Sequence, residues 1–180
     1  LGILVSATMT YPELEAAIHK TKERTDKPFG VNLRADAEDA PQRVDLLIRE
    51  GVKVASFALA PKPDMIGKLK DAGLVVIPSV GAARHAEKVA SWGADAVIVQ
   101  GGEGGGHTGE VTSMILWPEL VDALGDRAPV LAAGGVGSGR QIAAAIALGA
   151  QGVWMGTYWL TAAEYKLGAH GDGPSTVQQA

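Results

Sequence analysis

One stretch decides the fold: Val97-Ile98-Val99-Gln100-Gly101-Gly102-Glu103-Gly104-Gly105-Gly106-His107-Thr108-Gly109. An apolar run, interpreted as a buried strand, ends in a polar glutamine and enters a loop dominated by glycine. Glycine permits positive φ and lets a ligand approach the backbone, although such a loop orders at a high entropic cost. The loop also carries His107, which can exchange a proton near neutral pH. This pattern is typical of α/β enzymes, whose sites follow the C-terminal ends of strands; a surface loop with a solvated histidine is the alternative.

A helix that ends at glycine, followed by an apolar run, recurs along the chain. The glycines suit the left-handed position after a helix, and they are Gly51, Gly73, Gly93 and Gly149. Continuous apolar runs indicate parallel strands covered on both faces. Seven strands are predicted: Gly2–Val5, Phe29–Leu33, Lys53–Ala58, Leu74–Ile77, Ala96–Val99, Val130–Ala133 and Gly152–Met155.

Helices are predicted between these strands. Tyr11–Arg24 has helical apolar spacing and a capping Thr10, Pro41–Glu50 follows the second strand, and Gln141–Leu148 begins after the N-cap Ser138. A (β/α)8 TIM barrel has eight strands and usually ~250 residues. The sequence therefore predicts an α/β fold, a TIM barrel seen without its first strand and its C-terminal part. Residues 1–180 are expected to form a single domain that is incomplete at both ends.

Composition narrows the classes of function. The chain has 180 residues, 47% of them hydrophobic, a net charge of −4 and no cysteine. The charge gives no reason to expect nucleic acid or an anionic membrane as a partner. The lack of cysteine excludes a thiolate nucleophile and fits a cytoplasmic location. No apolar run approaches the ~18 residues of a membrane span.

Two amides follow predicted strands. Asn32 and Gln100 stand at the C-terminal ends of their strands, at the active face of a barrel. An amide donates and accepts hydrogen bonds at once, as the edge of a heteroaromatic ring requires. A local cap on the following loop is an equally good interpretation of Asn32, and a similar one applies to Gln100.

A second glycine-rich segment is Leu131-Ala132-Ala133-Gly134-Gly135-Val136-Gly137-Ser138-Gly139-Arg140. A strand runs into Gly134-Gly135, and a helix follows a short loop. Free backbone N–H groups beside a helix N-terminus favour an anion. The next strand ends in Trp154, Met155, Gly156 and Thr157, which add further N–H groups and a hydroxyl. Two adjacent strand ends late in a barrel are the usual phosphate site of the fold.

Other polar residues are weaker candidates. His19, His85 and His170 are expected to face solvent. Glu103 either partners His107, points to solvent or binds loop amides. No set of His, Asp and Glu has metal-ligand spacing, so no metal is expected.

The run Gln100–Gly109 resembles the Q-G-x-E-A-G-G-H-x-G signature of the nitronate monooxygenases, formerly called 2-nitropropane dioxygenases. Lys27–Leu33, Pro129–Gly139 and Gly152–Thr157 fall in matching order, so the resemblance covers almost the whole chain. It implies a TIM barrel that binds FMN non-covalently and oxidises alkyl nitronates with O₂ to carbonyl compounds and nitrite.

The resemblance also assigns residues. His107 would be the catalytic base or the electrostatic partner beside the flavin ring. The ring and ribityl part would be lined by Asn32, Gln100, Gly105 and Gly106, and the phosphate end by Gly134, Gly135, Trp154, Met155, Gly156 and Thr157.

Some features depart from the pattern. Gly104 replaces the usual alanine, and Ser56-Phe57-Ala58-Leu59 lacks the polar residue or histidine that many members carry after that strand. FMN-dependent enoyl-acyl carrier protein reductases of the second type share much of the signature, and some relatives reduce quinones with NADH. An NAD(P)H-dependent reductase is thus the alternative function. The expected partners are a small-molecule substrate and O₂, with a homodimer among the expected assemblies.

Overall fold

The computed structural model describes residues 1–106 and 109–163. Strands and helices alternate along all of this part of the chain. The strands are β1 Gly2–Val5, β2 Phe29–Arg34, β3 Val54–Ala58, β4 Val75–Val80, β5 Val97–Gln100, β6 Val130–Ala133 and β7 Gly152–Trp154. The helices are α1 Tyr11–Arg24, α2 Ala40–Arg49, α3 Pro63–Asp71, α4 Ala83–Ser91, α5 Ser113–Leu124 and α6 Gly139–Ala147. Short 3-10 turns cover Gly125–Arg127 and Thr157–Thr161.

The strands form one seven-stranded parallel sheet in the order β1 to β7. Each strand pairs with the strands that precede and follow it in sequence, and a helix connects each strand to the next. This is the connectivity of a (β/α) barrel. All seven predicted strands are present, and most of their ends shift by no more than one residue. β4 is the exception, because it continues through Pro78 to Val80. Its pairing with β3 ends at Pro78 and its pairing with β5 begins at Ser79, so the missing proline N–H falls where the partner changes.

Glycine ends four of the helices as predicted. Gly51, Gly73, Gly93 and Gly149 have φ of 65°, 78°, 95° and 95°. In each case the chain needs a left-handed residue to leave the helix and enter the next strand, and other residues adopt this conformation at a cost of about 1 kcal/mol or more.

The helix starts follow their predicted capping residues. At α1, the Glu13 carboxylate accepts hydrogen bonds from the N–H and the hydroxyl of Thr10, at 2.7 and 2.8 Å. At α6, the Ser138 hydroxyl accepts a hydrogen bond from the N–H of Arg140. The bounds of α1 match the prediction, whereas α2 and α6 begin one and two residues earlier than predicted.

Different apolar clusters pack on the two faces of the sheet. Two large clusters fill the layer between strands and helices, with Phe57, Leu47 and Ile66 in one and Val97, Leu120 and Val130 in the other. A third cluster lies on the opposite, inner face and consists of Val54, Ile77, Ala96, Ile98 and Ala133, joined by the partly buried Ile3, Leu131 and Trp154. Ala133 and Trp154 carry this cluster to the C-terminal ends of β6 and β7, whereas the inward positions at the C-terminal ends of β2 to β5 are polar.

We expect Gly149→Ala to destabilise the protein more than Gly51→Ala. Both residues are left-handed, but a Cβ at Gly149 would lie 2.8 Å from Val121 Cγ1, whereas a Cβ at Gly51 meets nothing within 4 Å. Strain alone should lower the free energy of unfolding by about 1 kcal/mol at Gly51, and crowding should add about 1 kcal/mol or more at Gly149. Urea unfolding of the two variants measures the difference. Equal losses would contradict the packing at Val121.

Candidate functional site

Four polar side chains stand on neighbouring strands at the C-terminal end of the inner face. Asn32 Nδ2 donates a hydrogen bond to Ser56 Oγ at 3.0 Å, and Ser79 Oγ donates to Gln100 Oε1 at 3.3 Å. The parallel register sets Asn32 opposite Ser56. We call these four residues the amide row. Its two amides are oriented by hydroxyls from adjacent strands.

Both predicted amides thus lie in the row, and the local alternative, a bond to the following loop, is wrong for Asn32 but confirmed for Gln100. The Asn32 amide binds the next strand, so it is not a cap on its own loop. Gln100 Nε2 donates to the carbonyl of Gly105 at 2.8 Å, and this bond holds the glycine-rich loop against the strand end. Sequence reasoning missed Ser56 and Ser79. The inward-facing polar position two residues before the predicted end of the third strand was the available signal for Ser56, which is fully buried.

The glycine-rich loop after β5 is closed at its base. The N–H of Gly102 donates to the carbonyl of Val111 at 2.9 Å. Gly109 packs on Gly81, so closely that a Cβ on Gly109 would lie 3.2 Å from the Gly81 carbonyl oxygen. His107, the predicted catalytic residue, lies outside the described residues, as does Thr108, and its role stays a prediction.

Glu103 binds backbone and hydroxyl donors at the start of α5. Its carboxylate accepts hydrogen bonds from the Ser113 N–H at 2.9 Å and from the Ser113 hydroxyl at 2.8 Å. This is one of the alternatives expected for Glu103, the binding of loop amides. Desolvation raises the pKa of Glu103, but the hydrogen bonds from Ser113 and from the Glu103 backbone together outweigh it and hold that pKa below its ordinary value. The carboxylate is therefore ionised at neutral pH.

The turn after β6 meets the glycine-rich loop. Gly134 and Gly135 have φ of 96° and 72°. A Cβ on Gly134 would lie 2.9 Å from the carbonyl oxygen of Gly101, so the contact requires glycine for its size as well as its φ. The N–H groups of Gly134 and Gly135 donate to no residue that the structure describes. Free amides here are what the predicted anion site needs.

The segment after β7 completes this end of the sheet. Trp154 packs on the inner cluster, beside the strand ends. Thr157 approaches Gly105 so closely that a Cβ on Gly105 would lie 2.9 Å from Thr157 Oγ1. The side chain of Met155 packs in the layer between sheet and helices, which leaves only its backbone for a ligand. Gly106, Gly156 and Thr157 are exposed.

The prediction that no set of His, Asp and Glu has metal-ligand spacing is wrong for one group of side chains. Glu15 and His19, one turn apart on α1, meet Glu50 with their ligand atoms within 4.8 Å of one another. The spacing was missed because Glu50 comes from the end of α2. Lys22 Nζ lies 2.8 Å from Glu50 Oε2, and Arg49 pairs with Glu15. The hydrogen bond from Lys22 lowers the pKa of Glu50. We interpret the group as an ion-pair network, and the absence of a bound metal stays a prediction.

The other histidines behave as expected where they are described. The His19 side chain is 52% exposed and His85 is exposed. His170 lies outside the described residues. No helix within residues 1–106 and 109–163 combines the length and apolar character that crossing a membrane requires.

Known proteins resemble this chain in sequence and in fold. Residues 37–170 match the sequence profile of the nitronate monooxygenases. The chain belongs to the nitronate monooxygenase family. Members of the family are flavin-dependent oxidoreductases.

Two curated relatives carry different names. The chain is 70% identical over 164 residues to the (3aS,4S,5R,7aS)-5-hydroxy-7a-methyl-1-oxo-octahydro-1H-indene-4-carboxyl-CoA dehydrogenase of Rhodococcus jostii (strain RHA1), a match that covers 91% of this chain and 46% of that protein. It is 32% identical over 203 residues to a probable nitronate monooxygenase of Bacillus subtilis (strain 168), covering 89% of this chain and 58% of that protein. The chain thus spans about half the length of the curated relatives it matches.

Solved structures confirm the fold. FabK from Thermotoga maritima superposes with a TM-score of 0.85 at 42% identity, over 89% of this chain and 51% of that one. Nitroalkane oxidase from Streptomyces ansochromogenes superposes with a TM-score of 0.80 at 27% identity, over 89% of this chain and 58% of that one. The predicted TIM-barrel fold, seen in part, is therefore correct for this member of the nitronate monooxygenase family.

We expect the Glu103 carboxylate to titrate below the ordinary ~4.3 of a glutamate. A group with a depressed folded pKa stabilises the fold above its unfolded pKa, and this stabilisation is lost as pH falls through the folded pKa. Carboxyl ¹³C NMR titration measures the midpoint, and Ser113→Ala should raise it toward the ordinary value. A midpoint at or above ~4.3, or one that Ser113→Ala leaves in place, would contradict the assigned hydrogen bonds.

Proposed function

We propose that the protein is an FMN-dependent dehydrogenase of a carboxyl-CoA thioester built on a fused carbocycle. One observation carries the substrate class: the 70% identity to the Rhodococcus jostii dehydrogenase extends over 91% of the chain. A second relative with the same name, from Mycobacterium tuberculosis (strain ATCC 25618 / H37Rv), is 66% identical over 161 residues. Both identities are twice that of the probable nitronate monooxygenase from Bacillus subtilis.

The residues at the strand ends fit FMN. The amide row offers fixed donors and acceptors to a heteroaromatic ring, and Asn32 and Gln100 would bind its edge. Gly105 and Gly106 give a Cβ-free surface beside it. The N–H groups of Gly134 and Gly135, next to the α6 N-terminus, donate to no acceptor within residues 1–106 and 109–163, as a phosphate site requires.

The end of β7 supports the same assignment. The exposed backbone of Gly156 and the hydroxyl of Thr157 lie at the strand end next to the Gly134-Gly135 turn, because β7 pairs with β6. Met155 would contribute its backbone alone, since its side chain is packed away from the inner face. Trp154 would close the inner face beneath the ligand.

FMN, when bound, supplies the two-electron oxidant for the substrate. The protein's part is orientation, exclusion of water and proton transfer. A dehydrogenation removes one hydride and one proton from the substrate, and His107 is our candidate to accept the proton, since a neutral imidazole has an ordinary pKa of ~6.5. The amide row would fix the plane of the flavin ring, against which the substrate lies. The apolar inner cluster beneath the row keeps water out.

Nitronate oxidation with O₂ is the second candidate function. It is favoured by the match to the nitronate monooxygenase profile over residues 37–170 and by the likeness to nitroalkane oxidase. The same donors would bind FMN, and His107 in its protonated form would hold an anionic nitronate. The likeness to FabK at 42% identity keeps an NAD(P)H-dependent reductase as the remaining alternative.

Anaerobic stopped-flow absorbance separates the three functions. The protein at its natural length, loaded with FMN, is mixed separately with the octahydroindene carboxyl-CoA thioester, with propyl nitronate and with NADH. We expect the thioester to bleach the flavin band fastest. Bleaching by propyl nitronate alone would replace the proposal with monooxygenase chemistry, and bleaching by NADH alone would replace it with reductase chemistry. A protein that binds no FMN would overturn all three.

We further expect His107→Ala to slow this bleaching by about 10²-fold or more, as the loss of a general base does, while FMN content is retained. His85→Ala is the matched control, because it removes an exposed imidazole from the start of α4. Equal rates in the His107 variant and the control would exclude His107 as the base.

A further inference from the structure

We infer that Glu103 is a positioning residue that locks the glycine-rich loop to the Gly134-Gly135 turn through Ser113. The inference rests on the proposed function, because it concerns how the ring end and the phosphate end of the FMN site keep their separation. Glu103 matches the glutamate of the family signature, but the resemblance assigns it no function, and it assigns none to Ser113.

The contacts run through three segments of the chain. The Glu103 carboxylate, in the loop after β5, accepts from the N–H and the hydroxyl of Ser113, the first residue of α5. The same Ser113 Oγ lies 2.9 Å from the carbonyl oxygen of Gly134, in the turn after β6. The single proton of this buried hydroxyl is therefore shared between one acceptor in each loop, the Glu103 carboxylate and the Gly134 carbonyl. We call Glu103, Ser113 and the Gly134 carbonyl the clamp.

The backbone packs so closely around the clamp that added Cβ atoms would collide with it. A Cβ on Gly101 would lie 2.2 Å from Ser113 Oγ, and a Cβ on Gly134 would lie 3.0 Å from it. A Cβ on Gly135 would lie 3.4 Å from the Cβ of Glu103. The Glu103 side chain thus packs beside Gly135, in the turn whose N–H groups donate to no described residue.

Helix α5 gives the clamp a rigid base. Trp117, one turn after Ser113, is buried, and its Nε1–H lies 3.2 Å from the carbonyl oxygen of Val99 and 3.1 Å from that of Ala133. These are the residues that directly precede Gln100 and Gly134. The helix is therefore bonded to the ends of both strands, and the clamp transfers that fixed spacing to the loops beyond them.

The side-chain chemistry predicts how substitutions will rank. Glu103→Ala removes both acceptors, leaving the Ser113 N–H unbonded. Glu103→Gln keeps an acceptor for that N–H, and its amide can donate to Ser113 Oγ while the hydroxyl donates to Gly134. Ser113→Ala keeps the N–H and removes the bridge to Gly134. Glu110→Gln is the matched control, because it removes a carboxylate from the same loop that makes no hydrogen bond to the described residues.

The experiment uses the protein at its natural length and adds FMN to the apoprotein of each variant. Fluorescence quenching gives the dissociation constant, and the ³¹P NMR shift of bound FMN reports the surroundings of the phosphate. Steady-state turnover of the thioester, or of whichever donor bleaches the wild-type flavin, gives kcat and KM separately. The double variant Glu103→Ala/Ser113→Ala measures whether the two side chains act as one unit.

We expect Glu103→Ala to weaken FMN binding by about tenfold or more, the low end for a lost hydrogen bond to a charged group, and to shift the ³¹P resonance. Glu103→Gln should restore both to within about threefold of the parent, and the double variant should lose less than the product of the single losses. Once saturated with FMN, Glu103→Ala should lower kcat with KM nearly unchanged.

Two results would overturn the clamp. One is unchanged FMN affinity and ³¹P shift in Glu103→Ala. The other is independent, multiplicative losses in the double variant. If Glu103→Ala does not fold, Ser113→Ala decides: an unchanged ³¹P shift there overturns the link to Gly134, and a shifted one supports it. A wild-type protein that takes up no FMN fails the proposed function instead, which keeps the two failures distinct.

Discussion

The close approach of two glycine backbones is the constraint on which the site depends. Gly134, in a left-handed conformation, lies against Gly101 at a separation that leaves no room for a Cβ, and the Ser113 hydroxyl fills the remaining space. This contact fixes the ends of β5 and β6 relative to each other. The same contact positions the glycine-rich loop, the N–H groups of the turn and the start of α5. The two halves of the proposed FMN site are therefore one packed unit, although they are about 30 residues apart in the chain.

Much of this architecture was predictable from local pattern. Apolar runs predicted all seven strands, and the glycines after four of the helices predicted four left-handed positions, because both signals come from a few consecutive residues. The site was only partly predictable. Asn32 and Gln100 follow apolar runs, but their partners Ser56 and Ser79 depend on register between strands, and Ser113 depends on how α5 is seated. The same limit hid Glu50 beside His19. Strand alternation places the Met155 side chain on the outer face of the sheet. The prediction considered only the backbone N–H groups of this segment and did not use that alternation.

The site also bears on why relatives within one family are named for different activities. In the proposed function, the oriented amides and the backbone N–H groups of the described residues bind the flavin, and FabK and nitroalkane oxidase share the fold that carries them. Substrate choice must then come from side chains around the open end of the barrel. Leu59 is one such position: it follows β3, has φ of 69° and is 39% exposed. A left-handed leucine costs about 1 kcal/mol or more, so the backbone is strained at this strand end.

The central claim is that the amide row and the Gly134-Gly135 turn bind opposite ends of one FMN molecule. A crystal structure of the natural-length protein grown with FMN tests it most directly. The account predicts electron density for the flavin ring in contact with Asn32 and Gln100, and for the phosphate in contact with the N–H groups of Gly134 or Gly135. Density for FMN elsewhere, or a phosphate held by other strand ends, would contradict it.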